Sequence, residues 1–210
     1  MTKSVLNIGG GSKSIPLPPY YAGWKHDLLD IDPAGNPDIV LDARQLHTLP
    51  PATYDAVYCA NNLEHYHRHE GAKVIAGMLH VLKPDGFADV RVPDLAAVMR
   101  YAVEKNLDID SVFYVLPQGP ILVRDVIYGY HVEIEQTGAD FYAHKTGFSQ
   151  TALRAFFREN GFPIGAVTSV KFNLIGYFFR QLPTPEQQIL LSLKLSTADE
   201  RMKAGKANAI

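Results

Sequence analysis

Val5-Leu6-Asn7-Ile8-Gly9-Gly10-Gly11 decides the fold: an apolar run too short for a helix, closed by three glycines. The pattern then recurs. Residues 26–30 form a second run, closed by Asp30-Ile31-Asp32-Pro33, and Ile39-Val40-Leu41 ends at Asp42. Ala56-Val57-Tyr58-Cys59 ends at Asn61-Asn62, and a fifth run over 87–92 ends at Pro93-Asp94. Between the fourth and fifth, Val74, Ile75, Met78, Leu79 and Leu82 recur at helical spacing, and Pro84-Asp85-Gly86 stops that helix. Runs that are apolar throughout, without alternation, belong to strands buried on both faces, as in a parallel sheet covered by helices. The polar residues therefore gather at the carboxyl ends of the strands, the edge at which open α/β sheets bind ligands. The expectation is an α/β chain of parallel βαβ units.

Further along, Asp94 caps a helix running to about residue 105. Residues 106–148 lose the pattern and carry Tyr114, Tyr128, Tyr130, His131, Tyr142 and His144 among Gly and Pro. A stretch this long without clear elements reads as a lid or binding insertion. Ser149 caps a helix through Asn160, stopped by Gly161. Strand character resumes over 166–172. The last strand is either 175–179 or the alternating Ile189, Leu191, Leu193, Leu195, and the sequence leaves both open. The reading is one domain over 1–197, with an Ala/Lys-rich flexible tail over 198–210.

A length of 210 residues bounds the chain to one sizeable domain or two small ones. With 47% apolar and 20% charged residues the composition is globular, which excludes wholesale disorder, collagen and coiled coil. Net charge is −2, from 20 Lys+Arg against 22 Asp+Glu, so no basic surplus points to nucleic acid. Cys59 stands alone, which excludes a disulfide framework and a Cys-rich zinc site. No apolar run approaches the roughly 18 residues of a membrane span, and Met1-Thr2-Lys3-Ser4 runs straight into the first strand. A cytoplasmic protein with no membrane or nucleic-acid partner is expected.

The strand ends suggest a nucleoside ligand. Glycines after the first strand let a ligand approach the backbone where a Cβ would collide. Asp30 ends the second strand, where a carboxylate accepts both hydroxyls of a ribose. Asp42 ends the third, within reach of an adenine amino group. A dinucleotide site wants G-x-G-x-x-G followed by a helix whose amides hold the pyrophosphate. Here Ser14 replaces the third glycine, and Ile15-Pro16-Leu17-Pro18-Pro19 cannot open a regular helix. A ligand without phosphates fits better, and S-adenosyl-L-methionine is the obvious one.

Taken together, Leu6-Asn7-Ile8-Gly9-Gly10-Gly11, Leu29-Asp30-Ile31-Asp32-Pro33, Asp42 before a Leu-Pro, Tyr54-Asp55-Ala56-Val57-Tyr58, Asn62-Leu63-Glu64-His65 and Val81-Leu82-Lys83-Pro84-Asp85-Gly86 resemble class I S-adenosylmethionine-dependent methyltransferases. The similarity is greatest to the small bacterial type 11-like branch, associated with sugar and surface-polysaccharide pathways. Tyr128-Gly129 and His144-Lys145-Thr146-Gly147-Phe148-Ser149 also look like that branch. The resemblance covers about residues 4–173. It implies a Rossmann-like, seven-stranded, mostly parallel sheet with helices on both faces and an antiparallel last strand. It also implies Gly9 and Gly11 against the methionine portion of the cofactor, with Asn7 at the methionine end. Asp30 is implied on the ribose with Asp32 as second candidate, Asp42 with Ala43 by the adenine, and Asn61 near the sulfonium. The broader family carries Asp or Glu at the position of Asn7, whose amide accepts a hydrogen bond but offers no negative charge.

Methyl transfer needs acceptor, methyl and sulfur held in line and water excluded. A hydroxyl acceptor also benefits from a general base that titrates near working pH. His65, just past the fourth strand, is the first candidate, and His131 and His144 are the others. Each has a plainer reading as a histidine satisfied by its neighbours. His65 and His69 would share a face at i, i+4 on a helix, but Tyr66 stands where a zinc helix carries Glu, so no metal is expected. The aromatics of 106–148 are either walls for the acceptor or the core of a folded insertion. Trp24 reads as packing, and Arg91, Arg100 and Arg124 as solvated surface. The expected function is methyl transfer to a small-molecule acceptor, a hydroxyl of a sugar or related metabolite. A nucleotide-dependent oxidoreductase or epimerase, and a non-catalytic methyltransferase-like binding protein, stand as alternatives.

Overall fold

Strand β1 (Ser4–Ile8) lies inside the sheet because it is apolar on both sides: Val5 packs with one buried cluster, and Leu6 and Ile8 with the other. A computed structural model describes residues 2–117 and 119–193. In it β1 pairs in parallel with β2 (Lys25–Asp30) and with β4 (Tyr54–Ala60). Beyond these lie β3 (Ile39–Val40), parallel to β2, and β5 (Leu82–Pro93), parallel to β4. The sheet is completed by β8 (Ile164–Val170) and β9 (Asn173–Phe179), giving the order β3-β2-β1-β4-β5-β9-β8. β9 runs antiparallel to both of its neighbours and is slotted between β5 and β8. The expected seven-stranded sheet with an antiparallel last strand is what forms.

The two faces are covered unequally. On one, helices α1 (Arg68–Val81) and α5 (Gln150–Glu159) bury Val74, Ile75, Met78, Leu153 and Phe157 against Val57, Cys59, Val90 and Val92 of the strands. On the other, the proline-rich segment after β1 gives no regular helix, as its prolines require. A single 3-10 turn, Pro19–Tyr21, brings Tyr21 onto Val5, Ala56 and Phe87, with Trp24 edge-on to Tyr21. The short helix α6 (Pro185–Leu190) lies near this face through Leu190 and Leu191. Trp24 is therefore packing, as its position suggested.

Boundaries differ from the sequence reading in informative ways. α1 starts six residues before Val74, because His67 and Glu70 form a capping box at its first turn. It ends at Val81 rather than at Pro84-Asp85-Gly86, since the chain turns at Leu82 directly into a twelve-residue β5. Pro84 and Gly86 fall at a register shift opposite Tyr54 and Ala56. The choice between the two last strands falls on 175–179, within β9. In the rival stretch Thr184 and Gln187 cap α6 and Pro185 opens it, so residues 185–190 are helical; Leu195 lies outside the described residues. The boundary at 197 and the tail 198–210 also lie outside them.

Residues 106–148 are less irregular than their sequence. After α2 (Leu95–Glu104), which Asp94 caps, the chain makes a hairpin of β6 (Val112–Leu116) and β7 (Gly119–Leu122), then α3 (Val123–Tyr128) and α4 (His131–Thr137). A separate small core of Val98, Phe113, Ile121, Val123 and Val126, with Phe172 against Phe113, holds this unit beside the carboxyl end of the sheet. It rejoins the sheet where Phe148 bridges to Asp94. Among the described residues no helix is long and apolar enough to cross a membrane.

Candidate active site

Three turns at the carboxyl edge of the sheet interlock. Gly9 leaves β1 with φ +67°, and a Cβ there would lie 2.0 Å from the Asn62 amide, so only glycine fits. Asp30, at the end of β2, accepts the N–H of Gly11 at 2.9 Å and that of Asp32 at 3.0 Å. Asp32 caps the 3-10 turn Pro33–Gly35 by accepting the Ala34 N–H. That turn brings Gly35 so close to the first that a Cβ on it would lie 1.6 Å from the Gly11 carbonyl oxygen.

These turns frame one cavity of about 200 Å³. Gly9, Gly11, Asp30 and Asp32 line it on one side, and Asp42, Asn61 and His65 on the other. Seven of the eleven residues singled out from sequence are thus brought together. Asn61 takes φ +49° and donates its N–H to the Arg91 carbonyl, which turns the chain outward after β4.

The other four do not line the cavity. Asn7 is 3% exposed: its amide packs beneath Gly10, where it would meet a Cβ at 2.2 Å, and its Oδ1 is buried without a partner among the described residues. Ala43 is turned into the core with Leu46. His131, at the start of α4, is held by the Asp125 carboxylate. His144 Nδ1 lies 3.1 Å from the Val126 carbonyl, and since a carbonyl only accepts, Nδ1 carries the hydrogen and donates it.

His65 ends the 3-10 turn Leu63–His65. Its Nδ1 is 3.2 Å from the Ala143 carbonyl, which likewise fixes the hydrogen on Nδ1 and leaves the Nε2 lone pair free. Burial lowers its pKa, so the ring is neutral at physiological pH. His144 packs edge-on to it, centroids 4.9 Å apart, and is driven down to about 4, by burial first and then by His65. His65 and His69 share no helix face: His65 ends the 3-10 turn, and His69 lies in α1, where its ring stacks on His67.

Several residues escaped the sequence reading. Arg44 clasps the Asp42 carboxylate through Nε, at 2.9 and 3.0 Å, and through Nη2, and reaches Glu70 of α1 through Nη1. Burial works to raise the Asp42 carboxyl, but the guanidinium outweighs it and holds the group below its usual range. The i, i+2 spacing of Asp42 and Arg44 was the available signal. Phe141, Tyr142 and Lys145 enter the cavity from the 106–148 segment. Burial, and then the Asp32 carboxylate, raise the Tyr142 phenol. The aromatics of that segment therefore divide: Phe113 and Tyr130 are core, Phe141 and Tyr142 are cavity wall. Glu64, next to His65, is 1% exposed, and burial pushes its carboxyl up to about 8. Arg91 is not solvated surface; it lies over Tyr58 and donates to the Tyr20 hydroxyl at 2.9 Å. Arg124 pairs with Asp110, and Arg100 is exposed.

The cavity suits an adenosyl ligand. Gly9 leaves a cradle that a Cβ would fill, and the Asp30 carboxylate on its wall keeps a lone pair on each oxygen after its two backbone bonds. A family model described as a methyltransferase domain matches residues 25–88. No curated protein matches the chain. Among solved structures, a Pyrococcus horikoshii protein is 15% identical, with 85% of this chain and 83% of that one covered and a TM-score of 0.55. A SAM-dependent methyltransferase of Thermotoga maritima, described as a possible histamine N-methyltransferase, is 13% identical over 86% of this chain and 84% of its own, TM-score 0.54. A SAM-dependent methyltransferase of Archaeoglobus fulgidus is 13% identical over 84% and 86%, TM-score 0.52. At these identities the likeness is one of fold.

Proposed function

We propose that this chain is a class I S-adenosylmethionine-dependent methyltransferase of type 11, that its acceptor is a hydroxyl of a small molecule, a sugar or related metabolite, and that His65 removes the acceptor's proton. When bound, S-adenosylmethionine supplies a methyl group on a sulfonium, an electrophile that needs no further activation. Asp30 would hold the ribose hydroxyls, with Asp32 beside it, while Gly9 and Gly11 leave room for the methionine portion. Asp42 would stand by the adenine, and Asn61 by the reacting end.

The observation that carries this reading is His65 on the cavity wall. Its Nδ1–H is committed to the Ala143 carbonyl, so Nε2 is the basic nitrogen. A neutral imidazole at the carboxyl edge of β4 is ready to accept a hydroxyl proton at physiological pH. Residues 106–148 act as the lid in this reading: Phe141 and Tyr142 supply apolar and hydroxyl-bearing wall, as sugar-like substrates favour, and Lys145 supplies a donor.

The test is a screen of hydroxylated small molecules with S-adenosylmethionine, read as S-adenosylhomocysteine released. For an acceptor so found, His65→Gln should lower kcat by about 10²–10⁴ and leave the affinity for S-adenosylhomocysteine unchanged. Turnover only with amine or thiol acceptors, or an undiminished His65→Gln enzyme, rejects the assignment.

A further inference from the structure

Behind the cavity wall sits a group that the reaction above does not use. Glu64 is buried, and both of its carboxyl oxygens lack a hydrogen-bond partner among the described residues. An unpaired buried carboxyl is unfavourable by the full desolvation of its oxygens, so its presence calls for a role. One of those oxygens lies within 4.8 Å of a ring nitrogen of His65 and of a ring nitrogen of His144. The lid segment is fastened to the same residue: the N–H groups of Lys145 and Thr146 both donate to the Glu64 carbonyl, at 2.8 and 3.1 Å. Glu64 thus stands where base and lid meet, with its side chain free.

We propose that Glu64 is a positioning residue for His65, the countercharge for the imidazolium that forms when His65 takes the acceptor's proton. The inference rests on the reading of His65 as the base. In the proton step the acceptor O–H bond breaks and leaves its electron pair on oxygen, and the Nε2 lone pair of His65 forms the new N–H bond. Nδ1–H stays on the Ala143 carbonyl throughout. The ring then carries a positive charge in a half-buried site, where a charge without a partner is strongly disfavoured.

The acids that line the cavity with His65 are already engaged, Asp30 and Asp32 by backbone N–H groups, and Asp42 and Glu70 by Arg44. His144 is neutral and shares the edge of the ring, and Lys145, on the same lid segment, disfavours a second cation. Cys59 of β4 is a buried thiol that burial and then Glu64 itself raise, so it stays protonated. Glu64 is the acid of the cluster. Protonated at low pH, it offers His65 no charge. Once ionised, it stands within 4.8 Å of a nitrogen of the imidazolium and stabilises it. Catalysis should therefore gain on an ionisation that belongs to Glu64 and not to His65.

Two readouts test this, one of them independent of any acceptor. In the intact protein the ring resonances of His65 and His144, followed by NMR, should shift in a step near pH 8, where Glu64 ionises, and Glu64→Gln should abolish the step. With an acceptor in hand, kcat should climb through the same pH, and Glu64→Gln should flatten the climb, with kcat about tenfold down at pH 9 and KM for the cofactor unchanged. Glu64→Leu, an apolar replacement suited to a buried position, serves as second variant should Gln fail to fold. Rings that show no step in the wild type, or a step that survives in both variants, would overturn the proposal. So would activity lost on dialysis against a chelator and restored by Zn²⁺, which would make the three groups metal ligands. A step that is present in a protein turning over no hydroxyl acceptor supports the coupling and rejects the acceptor instead.

Discussion

The Asp30 carboxylate accepts the Gly11 N–H at 2.9 Å, so the acid that ends β2 also closes the glycine turn that follows β1. The same group accepts the Asp32 N–H at 3.0 Å. One side chain thereby fixes two turns and offers its remaining lone pairs to the cavity. Hydrogen bonds to a charged group contribute about 1.5–3 kcal/mol each. Asp30→Ala should weaken binding of S-adenosylhomocysteine by roughly ten- to hundredfold or more, read by calorimetric titration. Parallel titration with NAD should give no heat for either protein. Unchanged affinity for the adenosyl compound in the variant would move the ribose contact to Asp32.

Gly35 carries a second prediction, one that concerns space and not charge. It has an ordinary backbone conformation, yet a Cβ there would lie 1.6 Å from the Gly11 carbonyl oxygen and 2.8 Å from its carbonyl carbon. Backbone cannot yield as the end of a side chain can, so the two turns must separate. Gly35→Ala should destabilise the fold by about 1–3 kcal/mol, the usual range for overpacking, and should weaken cofactor binding more than that loss alone explains. Denaturant unfolding and calorimetry on the same preparation separate the two effects. A variant with wild-type affinity would show that the turns move independently.

How much of this was legible beforehand follows from what sequence encodes. The parallel strands were, because Val5, Leu6 and Ile8 face two different cores and leave an unbroken apolar run. So were the polar strand ends, since Asp30, Asp42 and Asn61 each stop such a run. What was not legible depends on contacts between distant segments. Asn7 is one such case: the family resemblance implied the methionine end, while its side chain, within β1, is turned under Gly10. Ala43 is drawn into the core for the same kind of reason. Beyond the local pair of Arg44 with Asp42, Arg44, Tyr142 and Glu64 draw their surroundings from Glu70 of α1, from Asp32 and from the lid, and no local spacing announces those partners. The 106–148 segment looked irregular because its hairpin and short helices pack on a small core of their own, too short in each piece for periodicity to register.

A control for global stability lies far from the cavity. Phe157 of α5 and Phe178 of β9 are both fully buried and stack with centroids 3.8 Å apart and planes 10° from parallel. Truncating a core phenylalanine removes its transfer energy and leaves a cavity. Phe157→Ala should lower unfolding stability by about 3–5 kcal/mol, with the affinity of the protein that remains folded unchanged. A loss under about 1 kcal/mol would mean that the surrounding core collapses into the gap.

The buried cluster makes stability depend on pH with opposite signs at its two members. Burial raises the folded-state pKa of Glu64 from 4.5 to about 8, so the unfolded chain gives up this proton first and stability falls as pH rises through that window. Burial and the neighbouring His65 lower His144 from 6.5 to about 4, so its contribution is present above 6.5 and is lost as pH falls towards 4. Between 4.5 and 6.5 the two slopes oppose each other; above 6.5 only the Glu64 loss remains. Glu64→Gln removes that loss. The variant should be more stable than the wild type by an amount on the order of a few kcal/mol at pH 8 and by much less at pH 5. Urea unfolding at the two pH values measures the difference directly. Equal stabilisation at both would show that the Glu64 carboxyl ionises as freely in the folded chain as in the unfolded one, and that burial does not keep it neutral.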